Sequence, residues 1–287
     1  MLIVIAIIAV LLTILAPALR SAKEQATRAV CLGNQMALVK GYIGYCQENK
    51  DKMPVGFVIE DFFNEWKVAT VYSKVAYPMW ANPPHQARED GWAYLGSHSG
   101  PVPTIEDRQR GCETGAIYPY VKNVEAYHCP GDRRLYEGTP RGTSPMYHAY
   151  RSYQVPDGMM GQTPFDPGGC IDVEDRYTKL SNIKFPENKY CFVEDEYDLM
   201  GANYSYDAWS FEPVIGLYEW WDSVGIFHVD GCTLSFIDGH AAPYKWKDQR
   251  SIDYGEDRTI TRRDPQPGNP DIEWFVYHYP ISTPYRQ

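Results

Sequence analysis

The chain has 287 residues, 44% of them hydrophobic, 22% charged, with a formal net charge of -10. That balance supports a sizeable buried core and excludes a wholly disordered chain. The acidic surplus argues against a nucleic-acid partner, because phosphate binding needs a basic face. Aromatic residues stand out, with 23 Tyr and 8 Trp. Such amphipathic rings suit half-buried loops and interfaces.

The first element is the uncharged run Met1–Leu19, MLIVIAIIAVLLTILAPAL. As a helix it extends roughly 28 Å at about 1.5 Å per residue, enough to cross the apolar core of a bilayer. A cleaved signal peptide would show a basic start and a shorter apolar core. Ala16-Pro17-Ala18 resembles a weak cleavage site, but the helical pattern continues past it. Ala22, Ala26, Ala29, Leu32, Met36, Val39, Ile43 and Cys46 recur at steps of three and four, one stripe of an amphipathic helix. Gly33, Gly41 and Gly44 weaken it, each by roughly 1 kcal/mol against Ala. The pattern predicts about fifty helical residues, on the order of 75 Å, stopping near Asn49–Asp51 ahead of Pro54. Pro17 predicts a kink, since it removes a backbone donor and crowds the preceding turn. The domain reading is a membrane and assembly helix over 1–50 and a β-rich globular domain over 51–287.

After Asp51 the sequence turns rich in Pro, Gly and Tyr, predicting short strands, long loops and one short helix. Phe57–Trp80 fits helix and strand alike, and Asn82–Asp107 reads as an ordered loop. The segment KLSNIKFPENKYCFV predicts a turn and a strand that sends Tyr190, Phe192 and Val193 into the core. In Val224–Trp246, Asp230-Gly231 and Asp238-Gly239 both carry the signature of two-residue hairpin turns. They predict a three-stranded meander with Val229, Phe227, Cys232, Leu234, Phe236 and Ala241 on its core face. His228 and His240 then fall on the other face, roughly 13 Å apart, too far to share a metal. Pro243 fits an edge strand. Asp271–Tyr279 docks back as a helix or a strand.

Several residues could carry chemistry. The seven cysteines are Cys31, Cys46, Cys112, Cys129, Cys170, Cys191 and Cys232. None forms a C-x-x-C pair, so the local spacing of zinc and thioredoxin-like sites is absent. His228, Asp238 and His240 best imitate a metal or acid–base site, although a structural turn explains them more simply. The acidic groups Asp172, Glu174 and Asp175, and Glu194, Asp195, Glu196 and Asp198, are weak calcium candidates without EF-hand spacing. A solvated acidic loop is the simpler reading of both. No P-loop, nucleophile elbow, dinucleotide fingerprint or zincin motif appears.

The run VIAIIAVLLTILAPAL followed by RSAKEQATRAVCLGNQ resembles the N-terminal region of type IV pilins and type II secretion pseudopilins. It is most similar to the prepilin-type processing-associated H-x9-DG group. His228 followed after nine residues by Asp238-Gly239, and AYHCPGD at Ala126–Asp132, resemble further segments of that group. Members carry a basic leader, a cleavage site, a phenylalanine and a glutamate just before the stretch seen here; this sequence opens inside the apolar run.

The resemblance implies an α+β fold: a long N-terminal helix packed on a β-rich domain with an antiparallel sheet and long loops. It implies a structural, non-enzymatic subunit of a type IV pilus-like filament or a type II secretion pseudopilus, with no cofactor beyond the weak calcium option. The assembly surface would comprise Leu2, Ile3, Val4, Ile5, Ala6, Ile7, Ile8, Ala9, Val10, Leu11, Leu12, Ile14, Leu15, Pro17 and Leu19. The partners would be copies of itself or other pilin-like subunits. The expected location is the inner membrane with an extracytoplasmic domain, then a cell-surface filament. The cysteine–proline segment hints at a structural role for Cys129 beside the helix, and hence a Cys31–Cys129 disulfide. Two readings compete: an anchored glycan-binding protein using Trp80, Trp92, Trp220 and Trp221, and an anchored metal-dependent hydrolase at His228 and Asp238.

Overall fold

The structure, a computed structural model, describes residues 2–54, 80–81, 85–88, 91–94, 104–137, 150–159, 175–195, 209, 214–256 and 264–282. For 2, 3, 5, 6, 9, 85–88, 91–94, 136 and 137 it describes the backbone alone. Within these residues the fold is α+β, a long N-terminal helix laid against a four-stranded antiparallel sheet.

Helix α1 spans Leu2–Glu48 and runs on through Pro17. It ends one turn ahead of Pro54, where Asn49, Lys50 and Asp51 turn the chain and Lys50 and Asp51 take positive φ. Its side chains divide into two stretches. Val4, Ile7, Ile8, Val10, Leu11, Leu12, Ile14, Leu15 and Leu19 are exposed. From Cys31 onward one face is buried: Cys31, Gln35, Leu38, Val39, Tyr42, Tyr45 and Cys46. This face lies roughly one residue step around the helix from the expected stripe, about 100° at 3.6 residues per turn. Met36 is exposed and Leu32 half-buried. The difference arises because Gln35 and Tyr42, polar by type, are buried and donate hydrogen bonds to the domain. Gln35 donates to the Thr233 carbonyl at 2.6 Å, and Tyr42 donates to the Met159 carbonyl at 3.3 Å.

Among the described residues no helix is long and apolar enough to cross a membrane. The expected span over Met1–Leu19 rests partly on side chains outside that set.

A hairpin pairs β1 (His85–Arg88) with β2 (Gly91–Tyr94), in a region expected to be loop. Helix α2 (Ile105–Glu113) starts with a capping box, Thr104 and Asp107 each bonding the other's backbone N–H. Helix α3 (Tyr118–Val121) crosses α1 closely: a Cβ on Gly41 would lie 2.5 Å from Val121 Cγ2. Gly33 has no such neighbour within 4 Å. Helix α4 (Arg134–Glu137) follows the Cys129-Pro130 corner.

The main sheet has the order β3 (Tyr153–Gln154), β4 (Tyr190–Glu194), β5 (Gly231–Phe236), β6 (Ala241–Lys245), all antiparallel. Tyr190, Phe192 and Val193 enter the core as expected. Strand β6 is one of the two edge strands, and it holds Pro243. Strand β5 alternates: Cys232, Leu234 and Phe236 join one apolar cluster, while Thr233 meets Gln35 of α1 on the other side. The core is thus two clusters with the sheet between them. One holds the buried face of α1 with Trp80, Tyr127, Tyr153 and Phe192. The other holds Trp209, Trp220, Trp246 and Phe275. Helix α5 (Gln249–Glu256) and helix α6 (Pro270–His278) close the second cluster. Asn269 caps α6 by accepting from the Asp271 and Ile272 N–H groups, with Pro270 at the first helical position.

Three expectations are corrected. The meander loses its first strand: Val224–Asp230 is not a strand, because Val229 (φ +37°) and Asp230 (φ +57°) turn out of extended geometry, and Val229 is exposed. The second hairpin forms, but its pairing is shifted by one residue. Ser235 pairs with Ala241, and the Phe236 N–H donates to the His240 carbonyl. That leaves a three-residue loop, Ile237–Gly239, with Gly239 at φ +99°, the left-handed position such loops require. The single short helix expected in the domain is replaced by several, including α2, α5 and α6. Most of Phe57–Trp80 lies outside the described residues.

Candidate metal and redox centre

The point where α1 first enters the domain is also where its side chains carry the most chemistry. Among the described side chains, Cys31 is the first buried one of the helix. Its Sγ lies 2.7 Å from Sγ of Cys129, which the 3₁₀ turn Val124–Tyr127 delivers to the helix. A strand end and a bend bring the remaining partners. Glu194 ends β4, and His228 sits in the bend before β5. His228 Nε2 lies 3.3 Å from Cys129 Sγ and 3.0 Å from Glu194 Oε1. All four side chains are buried, and one donor atom from each lies within 4.8 Å of the others.

The surrounding bonds hold these atoms in place. Thr233 donates its N–H to Glu194 Oε2 at 3.0 Å and its hydroxyl to Oε1 at 2.7 Å. Gln35 in turn fixes Thr233 from the helix side. The Gly131 N–H donates to Cys129 Sγ at 3.3 Å, and the Cys129 N–H donates to Ser152 Oγ at 3.0 Å. Ser152 donates to Asp132, which forms a bidentate pair with Arg134. Arg28 of α1 donates to the His228 carbonyl at 3.1 Å.

This setting shifts protons. The hydrogen bond from Cys129, aided by His228 and opposed by burial, lowers the Cys31 thiol to about 6. Burial and the bond to Cys31 push Cys129 well above the usual thiol range. Burial opposes a charged His228, but its bonds to Cys31 and Glu194 outweigh that and raise it to about 10. The other described cysteines have no such partners; burial drives Cys46 and Cys112 up to about 12. Cys31 is therefore the one described thiol held toward its anion, and the anion is the nucleophile and the metal ligand.

Cys31 and Cys129, expected to form a disulfide, are brought together as free thiols with no covalent bond between their sulfurs. The three-residue site of His228, Asp238 and His240 is divided. His228 belongs to the buried cluster, whereas Asp238 and His240 bond each other at 2.6 Å at the exposed turn. Glu194 and Asp195 face inward rather than forming a solvated acidic loop. Glu194 has both oxygens engaged by Thr233 and His228. Glu196, Asp198, Asp172, Glu174 and Cys170 lie outside the described residues. Trp80 and Trp220, offered as a glycan platform, are fully buried in the two cores, and the Trp92 side chain lies outside the description. Sequence reading missed the association of Glu194 with His228, since 34 residues separate them. The one available signal was a lone glutamate ending an otherwise apolar strand. Comparison with models of known families, with curated proteins and with solved structures gives no match, so the pilin resemblance stands on its motifs alone.

Proposed function

We propose that the chain is a structural subunit of a type IV pilus-like filament or a type II secretion pseudopilus. Its partners are copies of itself or related subunits, and it waits in the inner membrane with its domain outside the cytoplasm. The observation that carries this reading is the division of α1. Its second half is fastened to the domain from Cys31 to Cys46, while its first half projects an apolar surface that no described part of the domain covers. Leu11, Ile14, Leu15 and Leu19 are each more than half exposed. A helix apolar all round is satisfied equally by lipid and by neighbouring helices, and Ala16 and Ala18 permit close approach. Such a helix suits a subunit that moves from membrane to filament core.

Electron microscopy of filaments sheared from the source cells, with mass spectrometry of their contents, tests this. The expected result is filaments containing this chain with its first twenty residues in a helical core. Ile14→Lys should abolish incorporation and leave the melting temperature of the domain unchanged. A chain that stays in the membrane fraction, with no filament containing it, removes the filament reading.

A further inference from the structure

Four donor side chains from four separate segments converge below the surface where α1 meets the sheet: Cys31, Cys129, Glu194 and His228. Hydrogen bonding alone serves this arrangement poorly. His228 Nε2 faces Glu194 Oε1 at 3.0 Å and Cys129 Sγ at 3.3 Å, and an imidazole has one proton at that atom to share. A positive ion among the four donors would satisfy all of them at once.

We propose that this cluster is a structural zinc(II) site that clips helix α1 to the globular domain. The inference goes beyond the filament reading and does not depend on it. Two thiolates and an imidazole are the ligands zinc favours, and a carboxylate completes a set of four. Calcium and magnesium require oxygen ligands and are poorly matched to two sulfurs. In a tetrahedral zinc site with Zn–S near 2.3 Å, the sulfurs stand about 3.8 Å apart. The Cys31 and Cys129 sulfurs would therefore separate by about 1 Å from their present 2.7 Å. The histidine nitrogen already lies near the distances such a site sets for its neighbours. Two thiolates, one carboxylate and a neutral imidazole sum to three negative charges, which zinc reduces to one. Binding releases the protons held by the thiols and by the imidazole nitrogen. Arg28, bonded to the His228 carbonyl, places a positive side chain at the cluster's edge.

For Glu194 and Cys129 the outer contacts are of the kind metal centres use, whereas His228 Nδ1 bonds no described residue. Thr233 orients Glu194 through two bonds, Gln35 orients Thr233, and the Gly131 N–H supports the Cys129 sulfur. None of this is visible as sequence spacing, because each ligand comes from a different segment.

The test uses the full chain in detergent micelles, reduced under argon and stripped with a chelator. Zinc alone is then added, unbound metal is removed by gel filtration, and retained zinc is counted. A parallel sample receives cobalt(II). The expected result is one zinc per chain. Cobalt should give the intense visible bands of a tetrahedral site and near-ultraviolet sulfur-to-cobalt charge transfer. Thr233→Val should weaken zinc retention roughly 10–100-fold, as loss of an outer contact does elsewhere. Cys129→Ser should remove most of the charge-transfer intensity. The wild-type cobalt spectrum stands even where Cys129→Ser fails to fold. A folded, fully reduced wild-type chain that retains no zinc and gives no cobalt bands overturns the proposal. Zinc retained equally by wild type, Cys129→Ser and His228→Ala overturns it as well, because the metal then lies elsewhere.

Discussion

His228 Nε2 lies 3.0 Å from Glu194 Oε1, and neither side chain reaches solvent. A buried pair of this kind is fragile to the loss of one member, because the other is left as an uncompensated charge. Glu194→Ala should destabilise the metal-free chain by about 3–5 kcal/mol in urea denaturation. A loss below about 1 kcal/mol would mean that His228 is neutral in the folded protein.

The same cluster sets a pH dependence. His228 is raised to about 10 from an ordinary 6.5, so its contribution is full below pH 6.5 and is lost as pH rises through about 10. Cys31 is lowered to about 6 from 9.0, so its contribution is full above pH 9 and is lost as pH falls through about 6. Between pH 6.5 and 9 the two slopes oppose each other. With reductant and chelator present, wild-type stability should vary little across that window from this cluster. Above pH 9 the Cys31 contribution is complete and only the His228 loss remains, so stability should fall as pH rises from 9 to 10. Urea midpoints at three pH values would show it; a midpoint that holds or rises over that interval would contradict the assigned shifts.

Two glycines of α1 should respond in opposite directions. Gly33 has open space where a Cβ would go, so Gly33→Ala should add up to about 1 kcal/mol through helix propensity. At Gly41 a larger side chain meets Val121 and the Ile117 carbonyl. Gly41→Val should cost about 1–3 kcal/mol as the crossing with α3 is forced apart. Thermal unfolding of the pair measures both.

Phe275 anchors the second core. Its ring lies 5.4 Å from Trp220 and 5.5 Å from Trp246, and it is 1% exposed. Phe275→Ala should cost about 3–5 kcal/mol by denaturant titration, since rigid rings on several sides cannot collapse into the space. Tyr277, on the outward side of α6 and 53% exposed, should tolerate Ala within about 0.5 kcal/mol.

What the sequence disclosed follows physical range. Local signals read well: the end of α1 ahead of Pro54, the entry of Tyr190 and Phe192 into the core, and the edge position of Pro243. The β5–β6 turn was visible through Asp238-Gly239, but its length was not. A glycine at φ +99° serves two-residue and three-residue loops alike, and one residue of difference shifts the pairing. The buried face of α1 was misplaced because Gln35 and Tyr42 count as polar until their partners, Thr233 and Met159, are known. Cys31 and Cys129 were paired through a family resemblance, while Glu194 and His228 needed the sheet itself. Strand β4 and the bend before β5 are neighbours only after the antiparallel ladder forms.

The division of α1 at Cys31 also has a mechanical meaning. The buried stretch from Cys31 to Cys46 covers about 22 Å of helix, and its contacts lie side by side along the axis. A pull directed along α1 loads them together, in shear, instead of opening them one after another. The first contacts to feel that pull are those of Arg28, Cys31 and Gln35, where the densest polar bonding on the helix is found. A subunit held in a strained fibre would thus meet traction at its best-fastened end, and its domain would be dragged with the helix before it peeled away.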